Sequence, residues 1–468
     1  MVGLVAYGVY LPRYRLKRSE IGAVLGAGGG KGTRTVAGYD EDPTSMAVEA
    51  GRRALASAGS AVAPQRLLYA TTRPPYLEKT NANTVHAALR LDPAVLTVDL
   101  VGSVRAGVGA VLMAAESPVP TLVTLSDVRT GLPGGADERD SGDAAAALLF
   151  SADQPVLADL VAHATCTEEF LDRWRLEGAT STRVWEERFG EHAYLPLAET
   201  AYADALKQAG LTPSEVDVLV VAGTHARAVK AFSAGAGAQR VADNLAGTVG
   251  NSGAAQPGVL LASVLDDAQP GQTIALVVLA DGATTMIFKV ADAIIDYRPA
   301  RTVAEQIAAG DDSLRYADFL SWRGQLTKEP PRRPDPEGPA APPSLRSLDY
   351  KFGFVAVRCG ACGFVHLPAV RVCVNCHAVD RMVEVPLAST LGTVATYSID
   401  HLAFSPAPPV IAAVVDFDGG GRYRFELTDA KPEDISIGSR VEMTFRRLIT
   451  AGGIHNYFWK ARPVGKES

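Results

Sequence analysis

The first three hundred residues of this chain spell one supersecondary unit twice, and that repetition limits the fold more than any other feature. Met46–Gly59 (MAVEAGRRALASAG) leads to Arg66–Thr72 (RLLYATT), and Leu197–Gly210 (LAETAYADALKQAG) leads to Val216–His225 (VDVLVVAGTH). Both leading stretches read as amphipathic helices ending in Ala-Leu-x-x-Ala-Gly, and each runs into an apolar strand. Further on, Gly142–Asp153 (GDAAAALLFSAD) echoes Ala280–Asp292 (ADGATTMIFKVAD). A matching helix and strand stand before each echo: Val108–Asp127 in the first half, Gly258–Asp281 in the second. Three echoes in the same order argue against convergence of Ala-rich helices. Two copies of an alternating strand and helix unit predict an α/β fold with two mixed sheets layered with helices.

Glu329–Pro343 (EPPRRPDPEGPAAPP) closes this region. Its prolines cannot supply ladder or helix hydrogen bonds, so the stretch reads as a stiff extended spacer with a reach of roughly 45 Å. The expected organisation is a duplicated region over 1–326, with halves 1–165 and 166–296 and a C-terminal helical segment. A linker over 327–343 follows, then a cysteine-bearing unit over 344–380 and a small β domain over 381–468. Cys359, Cys362, Cys373 and Cys376 form two CxxC knuckles ten residues apart, while Cys166 stands alone. Paired knuckles place four thiolates around a tetrahedral Zn²⁺ in a closed, structural site. His366 and His377 are surplus to that shell and read as surface residues. Gly26–Gly32 (GAGGGKG) lacks the Gly-Lys-Ser/Thr ending of a phosphate loop and reads as a mobile loop.

The hydrophobic share of 47% and charged share of 21% fit a soluble globular protein and exclude long disorder. A net charge of −7 argues against a chain-wide surface for nucleic acid or anionic membrane. The apolar runs are of strand length, and Met1–Pro12 lacks the basic flank of a signal peptide, so a cytoplasmic location is expected.

VGLVAYGVYLPRYRL (Val2–Leu16), GYDEDPTSMAVEAGRRAL (Gly38–Leu55), PPYLEK (Pro74–Lys79), GTVGNSGAAQPGVLLASVLDDAQPGQ (Gly247–Gln272) and LRYADFLSWRGQL (Leu314–Leu326) resemble, in order, the HMG-CoA synthase branch of the thiolase superfamily. The resemblance covers about residues 1–326. It implies an acyl-CoA enzyme that makes or breaks a carbon–carbon bond, usually as a homodimer or higher homo-oligomer. The family uses a cysteine nucleophile at a helix start, a glutamate acid/base, a histidine and an asparagine. A helix start suits the nucleophile because unpaired N–H groups lower a thiol pKa and can form an oxyanion hole. Here the resemblance puts Ser103 at the cysteine position, Thr72 at the glutamate position, His225 near the histidine, and Asn251 at the asparagine. Tyr76 and Lys79, in PPYLEK, are implied substrate-binding residues. Taken by itself, Ser103 also reads as a helix N-cap, His225 as a turn cap and Asp281 as a turn residue.

A serine hydroxyl needs a well-placed base to act as a nucleophile, and no Ser-His-Asp set surrounds Ser103 in the sequence. Aldol or retro-aldol chemistry on a 3-hydroxyacyl-CoA needs no covalent nucleophile and is the expected reaction, with His225 and Asn251 as its leading residues. A Claisen-type acyltransferase and a non-catalytic acyl-CoA scaffold are the alternatives.

After the cysteines, TLGTVATYSI, VIAAVVDF, RYRFEL and RVEMTF alternate with turn signals, which predicts a small antiparallel barrel. Together with the closing FWKARP, this order resembles the OB-fold and zinc-ribbon proteins that accompany thiolase-like enzymes. That resemblance implies acyl-CoA binding by the barrel and docking, in cis or on another thiolase-like protein, by a rubredoxin-like ribbon. OB-folds also bind single-stranded nucleic acid. From Lys351 onward, 13 Lys/Arg stand against 11 Asp/Glu, without the basic excess that a nucleic-acid groove needs.

Overall fold

The computed structural model describes residues 2–59, 62–153, 155–329 and 337–464. Strands β1 (Gly3–Tyr10), β2 (Arg66–Thr71), β3 (Leu96–Val101), β4 (Thr121–Asp127) and β5 (Ala144–Ser151) build the first half-sheet. Strands β6 (Ala158–Cys166), β7 (Val218–Gly223), β8 (Arg240–Val241), β9 (Thr273–Leu279) and β10 (Ala283–Val290) repeat it. The order is β3-β2-β4-β5-β1 in one half and β8-β7-β9-β10-β6 in the other, with parallel and antiparallel pairs at the same places. The two expected sheets are joined edge to edge, because β1 and β6 pair at Gly3–Asp159 and Leu4–Ala158. One ten-stranded mixed sheet results.

Helices repeat in step: α1 (Pro43–Ala58), α2 (Ala82–Ala88) and α3 (Arg105–Ala115), then α4 (Glu187–Ala209), α5 (Ala226–Gly235) and α6 (Gln256–Leu265). Helix α1 starts at Asp42, whose carboxylate accepts the Ser45 N–H at 2.8 Å in a capping box, with Pro43 in the first turn. Helix α4 stops at Gly210, whose left-handed φ of 68° no β-carbon opposes. Helix α6 is buried on all sides but one, as its apolar run QPGVLLASVL requires. Gly107 lets the start of α3 approach the turn before α6, since a β-carbon there would sit 2.9 Å from the Ala254 carbonyl oxygen. Gly28, in the expected loop, packs against the Gly134 backbone.

Residues 330–336 of the expected spacer lie outside the described residues. Its far end departs from the expectation: Ala341–Arg346 forms a helix, with Pro342 and Pro343 in the first turn, where proline needs no N–H partner. Strands β11 (Val355–Cys359), β12 (Val365–His366) and β13 (Met382–Pro386) pair as one small sheet, so the expected division at residue 380 falls too early. Strands β14 (Gly392–Asp400), β15 (Val410–Phe417), β16 (Arg422–Glu426), β17 (Arg440–Ala451) and β18 (Ile454–Pro463) form a five-stranded antiparallel sheet in the order β16-β15-β14-β17-β18. It curls toward closure where Thr428 N–H donates to the Ala461 carbonyl at 3.0 Å.

The barrel docks on the first half through buried charge. Lys460, 1% exposed, lies 2.9 Å from Asp40 and 2.7 Å from Glu426. Arg446, equally buried, pairs with Glu41 and, at 2.5 Å, with Asp429. The Tyr457 hydroxyl donates to Asp42 at 2.6 Å, so one carboxylate caps α1 and holds the barrel. The Phe445 N–H donates to Glu49 at 3.1 Å, and Arg52 lies over the Trp459 ring at 4.9 Å. Burial alone would push Asp40 and Glu49 up; Lys460 and Arg446 outweigh it at Asp40, Arg52 and Arg462 at Glu49, and both stay below the ordinary carboxylate range. Asp429 goes the other way, pushed up by burial to about 6.

Removing one partner of such a pair strands the other in low dielectric. Lys460→Met should therefore cost about 3–5 kcal/mol in urea unfolding followed by tryptophan fluorescence. Adding Asp40→Asn should recover part of that loss. Wild-type stability in Lys460→Met would contradict this account of the docking.

Candidate functional site

The carboxyl ends of β2, β4, β7 and β9 point to a common cleft between the two halves, where ligands bind in open α/β sheets. Thr72, Ser103, Arg129, Arg173, Arg175, Tyr194, Thr224 and Asp281 are among its lining residues, around an internal volume of about 70 Å³. The duplication shows in the lining, for Thr72 follows β2 as Thr224 follows β7. Asp127 ends β4 at the place that Asp281, just past β9, holds in the second half.

Asp127 is fully buried and holds this end of the sheet together. Its Oδ1 accepts the Thr72 N–H at 2.7 Å, the Thr72 hydroxyl at 2.9 Å and the Thr71 hydroxyl at 3.0 Å. Its Oδ2 accepts the Ala254 N–H at 2.8 Å from the other half. Gly253 leaves the room, since a β-carbon there would lie 2.1 Å from that oxygen. The Thr72 side chain is thus held as a hydrogen-bond donor to a carboxylate.

Ser103 lines the same cleft as Thr72, at the entrance to α3. The N-cap position itself belongs to Val104, which corrects the expected Ser103 cap by one residue. The Ser103 hydroxyl still accepts the Arg105 N–H at 3.2 Å and its carbonyl accepts the Ala106 N–H at 3.1 Å. Gly102, at φ 114°, makes the turn that brings Ser103 to the cleft.

His225 and Asn251 are not among the residues lining the cleft. His225 is the N-cap of α5: its Nδ1 accepts the Ala228 N–H at 3.1 Å, which leaves the ring's proton on Nε2 when it is neutral. A β-carbon on Gly190 would meet this ring at 2.5 Å and the Asp172 carboxylate at 2.7 Å, so Gly190 admits both side chains. Burial pushes the Asp172 carboxyl up, and His225 works against that rise. Asn251 donates to the Gly223 carbonyl at 2.6 Å and accepts the Gly253 N–H at 3.0 Å. It ties the end of β7 to the turn that carries Ala254, and so acts one step behind Asp127.

Tyr76 and Lys79 lie apart from the cleft. The Tyr76 hydroxyl accepts the His455 N–H at 2.8 Å, beside the β17–β18 hairpin, and its ring lies 4.8 Å from that of His455. Lys79 sits 5.9 Å from the Tyr76 ring, and partial burial lowers its pKa. This places both where the barrel meets the first half.

Asp281 makes the expected turn, at φ 45°, and also lines the cleft. Its N–H donates to the Tyr194 hydroxyl at 3.3 Å, and its carbonyl accepts from Arg105 at 2.6 Å. A non-glycine residue held at positive φ stores strain that surrounding contacts must offset. The residues missing from the sequence reading are Asp127, Arg129, Arg173, Arg175 and Tyr194. The VTLSD and VVLAD endings could have revealed Asp127, while Arg173 and Arg175 lie in a stretch without periodicity.

The four paired cysteines converge in the ribbon, with all sulfurs within 4.8 Å of one another. Cys359 and Cys376 are 3.7 Å apart, and Cys362 and Cys373 are 3.5 Å apart. A tetrahedron with metal–sulfur bonds of about 2.3 Å has edges of about 3.8 Å, so the donor set fits a metal. His366 corrects an expectation: it is 6% exposed, with Nε2 3.4 Å from the Cys373 sulfur. His377 is exposed.

Comparison with known proteins matches two stretches of the chain to two different kinds of relative. Over 344 residues the chain is 30% identical to the hydroxymethylglutaryl-CoA synthase of Thermococcus gammatolerans, which covers 69% of this chain and 95% of that protein. Over 126 residues it is 33% identical to a DUF35 domain-containing scaffold protein of Methanocaldococcus jannaschii, covering 26% of this chain and 89% of that protein. Residues 384–446 match the family described as ChsH2, C-terminal OB-fold domain. The fold is shared with the HMG synthase of the curacin biosynthetic pathway, at a TM-score of 0.58, 18% identity, and coverage of 69% of this chain and 88% of that one. The first three hundred residues therefore define a thiolase-like condensing-enzyme fold. The chain belongs to the hydroxymethylglutaryl-CoA synthase family and carries a DUF35-type OB-fold region in the same polypeptide. Among the described residues, no helix is long and apolar enough to cross a membrane.

Proposed function

We propose that this protein binds an acyl-CoA thioester and makes or breaks a carbon–carbon bond beside the thioester by aldol or retro-aldol chemistry. The observation that carries this reading is the cleft itself. Where the family resemblance implies a cysteine and a glutamate, the lining offers Ser103 and Thr72, and no cysteine is among the described lining residues. Thr72 donates its proton to Asp127, so it is not available as a base. A route through a covalent thioester on the enzyme has no thiol to use, whereas a retro-aldol step needs only a base and donors. The base takes the proton of the 3-hydroxyl, the bond between carbons 2 and 3 breaks to leave a carbonyl compound, and its electron pair forms the thioester enolate. Reprotonation of that enolate completes the cleavage. Asp281 is the carboxylate among the described lining residues, and the Ser103 and Val104 N–H groups, just ahead of the paired N–H groups of Arg105 and Ala106, suit the enolate oxygen. His225 and Asn251 act as positioning residues for the end of β7.

The barrel helps to enclose the thioester in this reading, because the β17–β18 hairpin meets Tyr76 next to the chain segment that carries Thr72. The DUF35 relative's description as a scaffold protein favours a second reading, a binding platform without turnover.

Incubation of the full chain with a panel of 3-hydroxyacyl-CoA thioesters separates the two. Mass spectrometry should find a shorter acyl-CoA and a matching carbonyl product. Tight binding with no product from any thioester, in either direction, would favour the scaffold.

The cysteine cluster is proposed as a structural zinc site, its four sulfurs closing the coordination shell. Metal analysis should return one zinc per chain, and Cys373→Ser should lower that value and loosen the ribbon. Iron in its place, or full zinc in Cys373→Ser, would contradict the assignment.

A further inference from the structure

The four sulfurs of the ribbon do not share one environment. Cys362 and Cys376 are exposed, whereas Cys359 and Cys373 are buried. Four thiolates around a divalent ion leave a surplus of negative charge, and such charge held away from water needs hydrogen-bond donors. Water reaches the exposed pair. The Asn375 side chain and the Phe364 N–H also stand by Cys362, and the Ala378 N–H stands by Cys376. The Cys373 sulfur lies inside, and the donor beside it is a side chain, His366, with Nε2 at 3.4 Å.

His366 is placed for this contact by the fold. It sits on β12 opposite Val357 of β11, and its ring centre lies 4.9 Å from that of Phe364. A buried imidazole nitrogen needs a partner, and the Cys373 sulfur is the hydrogen-bond partner of His366 among the described contacts. The mutually close donor atoms stop at the four sulfurs, so the ring stands outside the set that would hold the metal. A metal-bound thiolate carries no hydrogen and can only accept. The contact therefore requires a hydrogen on Nε2.

We propose that His366 is a positioning residue for the metal centre: its Nε2–H donates to the Cys373 thiolate and holds the buried half of the centre in place. This rests on the structural-zinc reading above. Side chains that hydrogen-bond a metal ligand in this way are typically worth about 10–100-fold in metal affinity. A ring that merely filled space could be replaced by an apolar side chain of similar size without that loss.

Competition of the full chain against a zinc chelator tests this, with the wild type, His366→Leu and His366→Gln compared. His366→Leu should reach the same zinc stoichiometry at saturating metal but bind the ion about 10–100-fold more weakly. His366→Gln, whose amide N–H can take the place of Nε2–H, should recover most of the loss. With a spin-active cadmium isotope in place of zinc, the wild-type Nε2 proton should show a scalar coupling to the metal through the Cys373 sulfur, which a packing contact does not give. Unchanged zinc affinity in His366→Leu would overturn the proposal. So would an equal loss in both variants with no coupling in the wild type, which would reduce His366 to a packing residue. A wild-type chain that binds neither zinc nor cadmium would overturn the zinc reading together with this inference, and that result is distinct from the other two.

Discussion

The candidate site depends on the carboxylate of Asp127. It sits at the end of a strand in the first half, and it accepts donors from both halves: Thr71 and Thr72 on one side, Ala254 on the other. A buried carboxylate is tolerated only when its lone pairs are filled, so the four contacts and the residue's burial require one another. Gly253 follows from it, because a side chain there would collide with the carboxylate. Asn251 follows in turn, fixing the glycine turn to the end of β7. The cleft lies where these ties converge. An ionised carboxylate at position 72 could not donate to Asp127 as the threonine hydroxyl does.

The second constraint is the charged face between barrel and first half. Taking Asp40, Glu41, Glu49, Arg446 and Lys460 out of water is costly, and only close pairing offsets that cost. An apolar face would tolerate sliding; paired charges with tyrosine hydroxyls among them fix one register. The docking therefore sets the β17–β18 hairpin against Tyr76 within a single chain. Fusing the two parts gives them an effective concentration of about the millimolar range, so the barrel's place does not depend on a separate encounter.

Much of the fold was legible because repetition survives in apolar spacing. The paired helices with their Ala-Leu-x-x-Ala-Gly ends, the strands after them and the two CxxC knuckles all depend on local periodicity or short spacing. What escaped depends on distant partners. Nothing local marks Arg446 and Lys460, since the acids that meet them lie some four hundred positions earlier. GYDEDP marked a family resemblance, yet its acids serve the docking face. Arg173 and Arg175 come from a segment with no helical or strand period, so nothing local placed them in the cleft. His366 looked superfluous to a closed metal shell because a contact to the Cys373 sulfur leaves no trace in spacing. The helix at Ala341–Arg346 was hidden by proline content, which forbids a helix interior but suits its first turn.

The central claim is that acyl-CoA chemistry here proceeds without an acyl group bonded to the protein. The intact mass of the protein after exposure to acetyl-CoA labelled in the acetyl group, quenched in acid at short times, tests it most directly. The account predicts an unchanged mass and no label on the denatured chain. Label recovered in stoichiometric amount on Ser103 would restore a covalent Claisen route, and label on Cys166 would place the reacting centre outside the cleft described here; either result would contradict the account.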